Sequence, residues 1–257
     1  VSDSPELLFD LDGDTGVITF NRPDARNALT FGMYTRIADI CAAPPARARV
    51  LVVTGAGDSA FAAGTDITQF RHFSSAQDAI DYERRIDRVL TAVESCALPT
   101  IAAISGACTG GGAAIAAACD LRLATADLKF GFPIARTLGN CLSANSLARL
   151  SALIGAGRVR DMIFTSRLLG AEEARSAGLI SEMVENRQSL DIRARELARV
   201  VASQAPLTLK ATKELQRRLA VRTVEDEDMI TMCYTSADFR EGIDAFFAKR
   251  KPQWRGK

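Results

Sequence analysis

Two glycine-bearing segments hold the residue types best suited to chemistry in this 257-residue chain. The first reads Ala60-Phe61-Ala62-Ala63-Gly64-Thr65-Asp66-Ile67. The second reads Ile104-Ser105-Gly106-Ala107-Cys108-Thr109-Gly110-Gly111-Gly112-Ala113-Ala114. Glycine lets backbone N–H groups approach a ligand closely. At a helix N-terminus the dipole also favours negative charge. Two such N–H groups aimed at one oxygen form an oxyanion hole. Spacing alone leaves the second segment open to three readings: an oxyanion site, a nucleotide loop, or tight packing of a helix on a sheet. Its run G-x-x-x-G-G-G is not the dinucleotide spacing G-x-G-x-x-G, and the Lys-Ser/Thr pair of a P-loop is missing.

Strands and helices must position these segments. Leu7 to Leu11 and Gly16 to Phe20 alternate around Asp12-Gly13-Asp14-Thr15, which reads as a hairpin. A helix is expected from Thr30, a suitable N-cap, to about Cys41, stopped by Pro44-Pro45. Val50 to Thr54 and Thr100 to Ile104 are apolar runs of the kind buried in a parallel sheet. Each leads into one of the glycine segments. Ser75 to Cys96 has helical spacing, with Ile80, Ile86, Val89, Leu90 and Val93 facing inward. Asp120 to Thr125 is a further strand. Strands separated by helices imply right-handed βαβ crossovers. From about Ser143 the chain turns largely helical, with late helices starting near Pro206, Thr223 and Asp238.

Composition bounds the function classes. The chain is 47% hydrophobic and 25% charged, ordinary for a globular protein. Thirty-two basic residues nearly cancel thirty-one acidic ones. That balance gives no support to a nucleic-acid or polybasic membrane binder. No stretch offers the roughly 18 apolar residues of a membrane span, and Val1 to Glu6 is polar and acidic, unlike a signal peptide. The six cysteines (Cys41, Cys96, Cys108, Cys119, Cys141, Cys233) are scattered and the only histidine is His72, so zinc is not expected. The expectation is reduced thiols and a cytoplasmic location.

Read together, the segments resemble the crotonase superfamily, the enoyl-CoA hydratase/isomerase family. Phe61 to Ile67 and the stretch from Ile104 through the three glycines to Asp120 are similar to that family's two signature loops. Asn21-Arg22-Pro23-Asp24-Ala25-Arg26-Asn27-Ala28-Leu29 resembles its first CoA-binding stretch. Ala171-Glu172-Glu173-Ala174, Gly178-Leu179-Ile180 and the final Phe246 to Pro252 also match, in order. The resemblance implies an α/β fold: a ββα spiral core over residues 1–195, then a helical C-terminal trimerisation region over 196–257, in one continuous unit. It implies a coenzyme A thioester as substrate, with no permanently bound cofactor, and a homotrimer or dimer of trimers. It places the oxyanion donors on the backbone N–H groups of Thr65 and Gly111. It places coenzyme contacts at Ala25, Arg26, Ala63, Asp66, Ile67 and Lys249.

The same resemblance exposes a departure. The family's hydratases use two glutamates, and the matching positions here are Ala114 and Ile134. Neither side chain can carry a proton, whereas hydration of an enoyl double bond calls for paired acid/base groups. Arg136, Asn140 and Cys141 fall in the segment that lines the acyl pocket in the family. Arg136 can grip a carboxylate bidentately. Asn140 can orient a water but is no base. Cys141 as a nucleophile needs a basic partner. His72 is titratable near neutrality but is read as a solvated loop residue. Asp66 is read as a helix start and Asp120 as a fixer of its strand. The reaction stays open between hydration or isomerisation, decarboxylation, thioester hydrolysis, and acyl-CoA binding without turnover.

Overall fold

The computed structural model describes residues 5–71, 73–220 and 227–253. His72 and Thr223 lie outside the described residues. In chain order the strands and α-helices are β1 (Leu7–Asp12), β2 (Thr15–Phe20), α1 (Phe31–Ala42), β3 (Val50–Gly55), β4 (Ala60–Ala63), α2 (Ala76–Glu94) and β5 (Thr100–Ile104). There follow β6 (Ala107–Thr109), α3 (Gly111–Ala118), β7 (Leu121–Thr125), β8 (Lys129–Gly131), α4 (Ile134–Thr137), α5 (Ala144–Ile154) and α6 (Ala156–Phe164). The chain ends through α7 (Ala171–Ser176), β9 (Glu182–Val184), α8 (Arg187–Ala202), α9 (Pro206–Ala220), α10 (Glu227–Tyr234) and α11 (Ala237–Phe247).

Two sheets organise these elements. The larger runs β1-β2-β3-β5-β7-β9, and the smaller runs β4-β6-β8. Each turn of the chain lays one strand in the large sheet, the next in the small sheet, and then a helix. This happens three times: β3-β4-α2, β5-β6-α3 and β7-β8-α4. The result is the ββα spiral. The hairpin β1-β2 is antiparallel, and the other pairings between the named strands are parallel.

The apolar strands are apolar because both faces of the large sheet are covered. Val50 and Val52 on β3, with Ile101 and Ala103 on β5, pack under Leu190, Ala194, Ala198 and Ala202 of α8. Leu51 and Val53, with Ala102 and Ile104, face α1, α2 and α3. Helix α8 runs unbroken through residues 195 and 196, with its buried face on both sides of that point.

The small sheet differs from the sequence reading. β4, β6 and β8 are three or four residues long. The glycine segments therefore do not run directly off β3 and β5. They run off β4 and β6, and the first leads only into a short 3-10 turn, Ile67–Phe70. The late helices also enclose one short strand that the helical reading passed over, β9.

Candidate active site

The three strands of the small sheet end on one row. Ala63 pairs with Thr109, and Thr109 pairs with Gly131. Gly64-Thr65, Gly110-Gly111 and Phe132-Pro133-Ile134 therefore emerge side by side from the carboxyl ends of parallel strands, where open α/β sheets commonly bind ligands.

The first loop is held from outside. Leu29 N–H donates to Gly64 O at 2.8 Å, and Asp66 N–H donates to Leu29 O at 2.9 Å. Peptide groups alternate sides along an extended chain. The Thr65 N–H therefore points the other way, toward the second loop. Ala63 N–H donates to Arg26 O at 3.0 Å. Asn27, buried and left-handed at φ 56°, donates to Ala56 O and Ala60 O at 2.9 and 2.8 Å. Asn27 thus braces the loop, a role its sequence position alone did not reveal.

The second loop caps α3. Gly110 is the N-cap, and the first intrahelical bond runs from Ala114 N–H to Gly110 O at 2.9 Å. The Gly111 N–H is consequently one of the helix's unpaired amino-terminal donors. Among the described residues, neither Thr65 N–H nor Gly111 N–H donates to a backbone carbonyl. The loops touch closely. A Cβ on Gly111 would lie 1.9 Å from Tyr34 Oη and 3.0 Å from Thr65 Oγ1, so only glycine fits there. At its other end α3 is held by Arg122, which is buried and donates to Leu179 O at 2.5 Å, to Ala116 O at 3.3 Å and to Cys119 O. A cation on the last carbonyls suits the helix dipole. Burial lowers the pKa of this guanidinium, and nearby Cys119 and Asp120 oppose the shift.

Both loops open onto a cavity of about 200 Å³. Its wall includes Ala63, Gly64, Thr65, Ile67, Gly110, Gly111, Ala114, Ile134 and Asn140 from the sequence reading. It adds Phe70, Tyr82, Glu83, Ile86, Phe132, Leu142 and Phe246, among others. Tyr82 belongs to that wall, and Tyr34 and Tyr234 are hydrogen-bonded to wall residues. Thr65 Oγ1 sits 2.8 Å from Tyr34 Oη and 3.0 Å from Tyr82 Oη. Burial pushes the Tyr34, Tyr82 and Tyr234 phenols well above their usual range. All three are neutral hydrogen-bonding groups at neutral pH.

Other expected residues stand elsewhere. Helix α4 is a single turn, so Ile134, Thr137 and the following Leu138 face the cavity while Arg136 is exposed. The cavity wall passes from Asn140 to Leu142, and half-buried Cys141 packs in the aromatic cluster of Phe70, Tyr234 and Phe239. Asp66 caps the 3-10 turn, accepting from Thr68 N–H at 3.1 Å and pairing with Arg22 at 2.9 Å. Asp120 accepts from Thr100 N–H and from Lys213 Nζ, both at 2.7 Å, and so ties β5 to α9. Ala25, Arg26 and Lys249 are exposed and lie off the cavity wall, and Arg250 is engaged by Glu241.

Sequence reasoning missed Glu83. Its signal was present: residue 83 is three after Ile80 and three before Ile86, on the apolar stripe of α2. It is 5% exposed and accepts a hydrogen bond from Tyr234 Oη.

A spiral of ββα turns that brings two glycine loops to the rim of an apolar cavity defines a fold class with many relatives. The chain belongs to the enoyl-CoA hydratase/isomerase family of the crotonase superfamily, whose family profile matches residues 12–257. It is 30% identical over 252 residues to a short-chain-enoyl-CoA hydratase of Clostridium acetobutylicum, covering 95% of each chain. An enoyl-CoA hydratase/carnithine racemase from Magnetospirillum magneticum superposes with a TM-score of 0.78 at 31% identity, over 99% of this chain and 97% of that one. A methylmalonyl-CoA decarboxylase shares the fold with a TM-score of 0.87 at 24% identity, over 98% and 99% of the two chains. Among the described residues, no helix is long and apolar enough to cross a membrane.

Proposed function

We propose that this acyl-CoA-processing enzyme binds its thioester carbonyl between the N–H groups of Thr65 and Gly111 and stabilises an enolate there. The observation that carries this is the pair of unengaged amides on adjoining loops at the rim of one cavity. An enolate or tetrahedral oxygen gains most from fixed donors in a water-poor site, where one donor is typically worth about 3–4 kcal/mol. The substrate itself brings the coenzyme A, and no separate cofactor takes part.

The reaction proceeds through the enolate and not by paired-glutamate hydration. Ala114 and Ile134 line the cavity with apolar side chains. The cavity is smaller than the roughly 300–1,000 Å³ of drug-sized pockets, which favours a short acyl group. Ala25, Arg26, Ala63, Asp66, Ile67 and Lys249 serve the coenzyme. The helical region 196–257 serves self-association into a trimer or dimer of trimers. Leu207 and Leu215 on α9 support that role, being 78% and 58% exposed.

Titration calorimetry with crotonyl-CoA and butyryl-CoA tests the reading, with α-proton exchange of butyryl-CoA followed in D2O. Binding in the roughly 1 µM to 1 mM range usual for enzyme substrates, with exchange at the α-carbon, is expected. No heat with any coenzyme A derivative would overturn it.

A further inference from the structure

We propose that Glu83 is the proton-carrying residue of this cavity, and that it serves a 1,3-proton shift in a 3-enoyl thioester. The inference deepens the proposed function and rests on it.

The cavity wall is chemically sparse. Among the described residues lining it, Glu83 is the only carboxylate, and none is lysine, arginine, histidine or cysteine. The other titratable side chain there, Tyr82, is kept neutral by burial. Among the described lining residues, Glu83 is therefore the side chain suited to moving a proton at neutral pH. Its position is also costly. A carboxyl group that is 5% exposed on a wall shared with Ile67, Phe70 and Ile86 gives up most of its hydration. An apolar residue at the same place on α2 would pack at no such cost.

Hydrogen bonds link Glu83 to a second residue of the cavity wall, Asn140. Tyr234 Oη donates to Glu83 Oε1. A phenol has one proton, so Tyr234 Oη can only accept from Asn140 Nδ2, 3.2 Å away. The chain thus runs from Asn140 through Tyr234 to a carboxyl oxygen of Glu83. Helix α2 is also tied to the first loop, because Tyr82 Oη meets Thr65 Oγ1 at 3.0 Å. The carboxylate and the Thr65 amide are therefore presented to one ligand by directly linked segments.

The step balances without a co-reactant. Glu83 takes a proton from C2 of the 3-enoyl thioester, and the C–H electron pair moves into the dienolate, whose oxygen rests on the two amides. The same carboxylic acid returns the proton to C4, the double bond settles between C2 and C3, and Glu83 is again ionised. One base moves one proton twice, so no second carboxylate is needed.

The test uses 3-butenoyl-CoA with the wild type, Glu83→Gln and Glu83→Asp. Isomerisation is read from the absorbance of the conjugated product, butyryl-CoA binding from calorimetry, and folding from thermal unfolding. Glu83→Gln should bind butyryl-CoA as the wild type does and lose about 10²–10⁴-fold in kcat, the usual worth of a general base. Glu83→Asp should recover part of that loss. A second measurement needs no variant: with substrate deuterated at C2 and turned over in H2O, part of the label should appear at C4. Glu83→Gln with near wild-type kcat would overturn the inference. So would complete loss of label to water during normal turnover, or thioester binding by the wild type without isomerisation. If the wild type binds no thioester at all, the proposed function itself falls, and this inference with it.

Discussion

Ala63 and Thr109 are register partners on neighbouring parallel strands. Two residues past each of them come Thr65 and Gly111. The two amides of the candidate oxyanion site therefore leave the small sheet from matched points, and their separation is set by sheet geometry and not by loop flexibility. Gly131, the partner of Thr109 on β8, launches the third wall of the cavity from the same row.

That registration depends on Gly112. A Cβ there would lie 2.4 Å from Ala62 O and 2.6 Å from Ala62 Cβ. Gly112→Ala must push α3 away from β4, an overpacking change that typically costs 1–3 kcal/mol. Chemical denaturation should show a loss of about that size, and isomerisation or α-proton exchange should fall with it.

Thr65 separates backbone chemistry from side-chain support. Thr65→Ala keeps the N–H but removes the hydroxyl that links Tyr34 and Tyr82. The buried Tyr34 phenol and the half-buried Tyr82 phenol lose a partner, at a cost of about 1–3 kcal/mol. We expect a lowered denaturation midpoint with thioester affinity changed only severalfold.

Arg122 anchors the far end of α3. Arg122→Ala leaves the carbonyls of Ala116, Cys119 and Leu179 without this donor. Each buried carbonyl left unsatisfied costs about 1–3 kcal/mol. The variant should unfold at markedly lower denaturant, and a surface arginine variant such as Arg136→Ala should not.

Asp66 makes a pH prediction. Burial raises its pKa, but hydrogen bonds from Thr68 and Arg22 and the Arg22 charge outweigh burial and hold it below the usual carboxylate value. A folded-state pKa below the unfolded one, about 3.9, stabilises the fold above that pH. The stabilisation is lost as pH falls through the folded value. The gap in stability between wild type and Asp66→Asn should therefore be constant near neutrality and shrink below about pH 4. Urea melts at pH 7 and pH 3 would reveal a contrary trend.

Much of this was legible in the sequence. Asp12-Gly13 marked the hairpin, the apolar runs marked β3 and β5, and the apolar stripe marked α2. The collinear glycine segments pointed to the family before any coordinates. The small sheet was not legible, because strands of three or four residues are too short to show alternation. Arg136 and Cys141 were expected at the pocket because the family resemblance puts their segment there, but within that segment a one-turn helix and a turn in the chain leave these two off the cavity wall. Glu83 went unread because its hydrogen-bond partner Tyr234 is 151 residues distant, and nothing local says that a glutamate on an apolar stripe faces a cavity.

The central claim concerns where one oxygen sits. A crystal structure with a bound acyl-CoA thioester, or a stable enolate mimic of one, reads this directly. The account predicts the carbonyl oxygen about 2.7–3.1 Å from both Thr65 N and Gly111 N. A thioester seated in the cavity with its oxygen bonded to neither amide would contradict it.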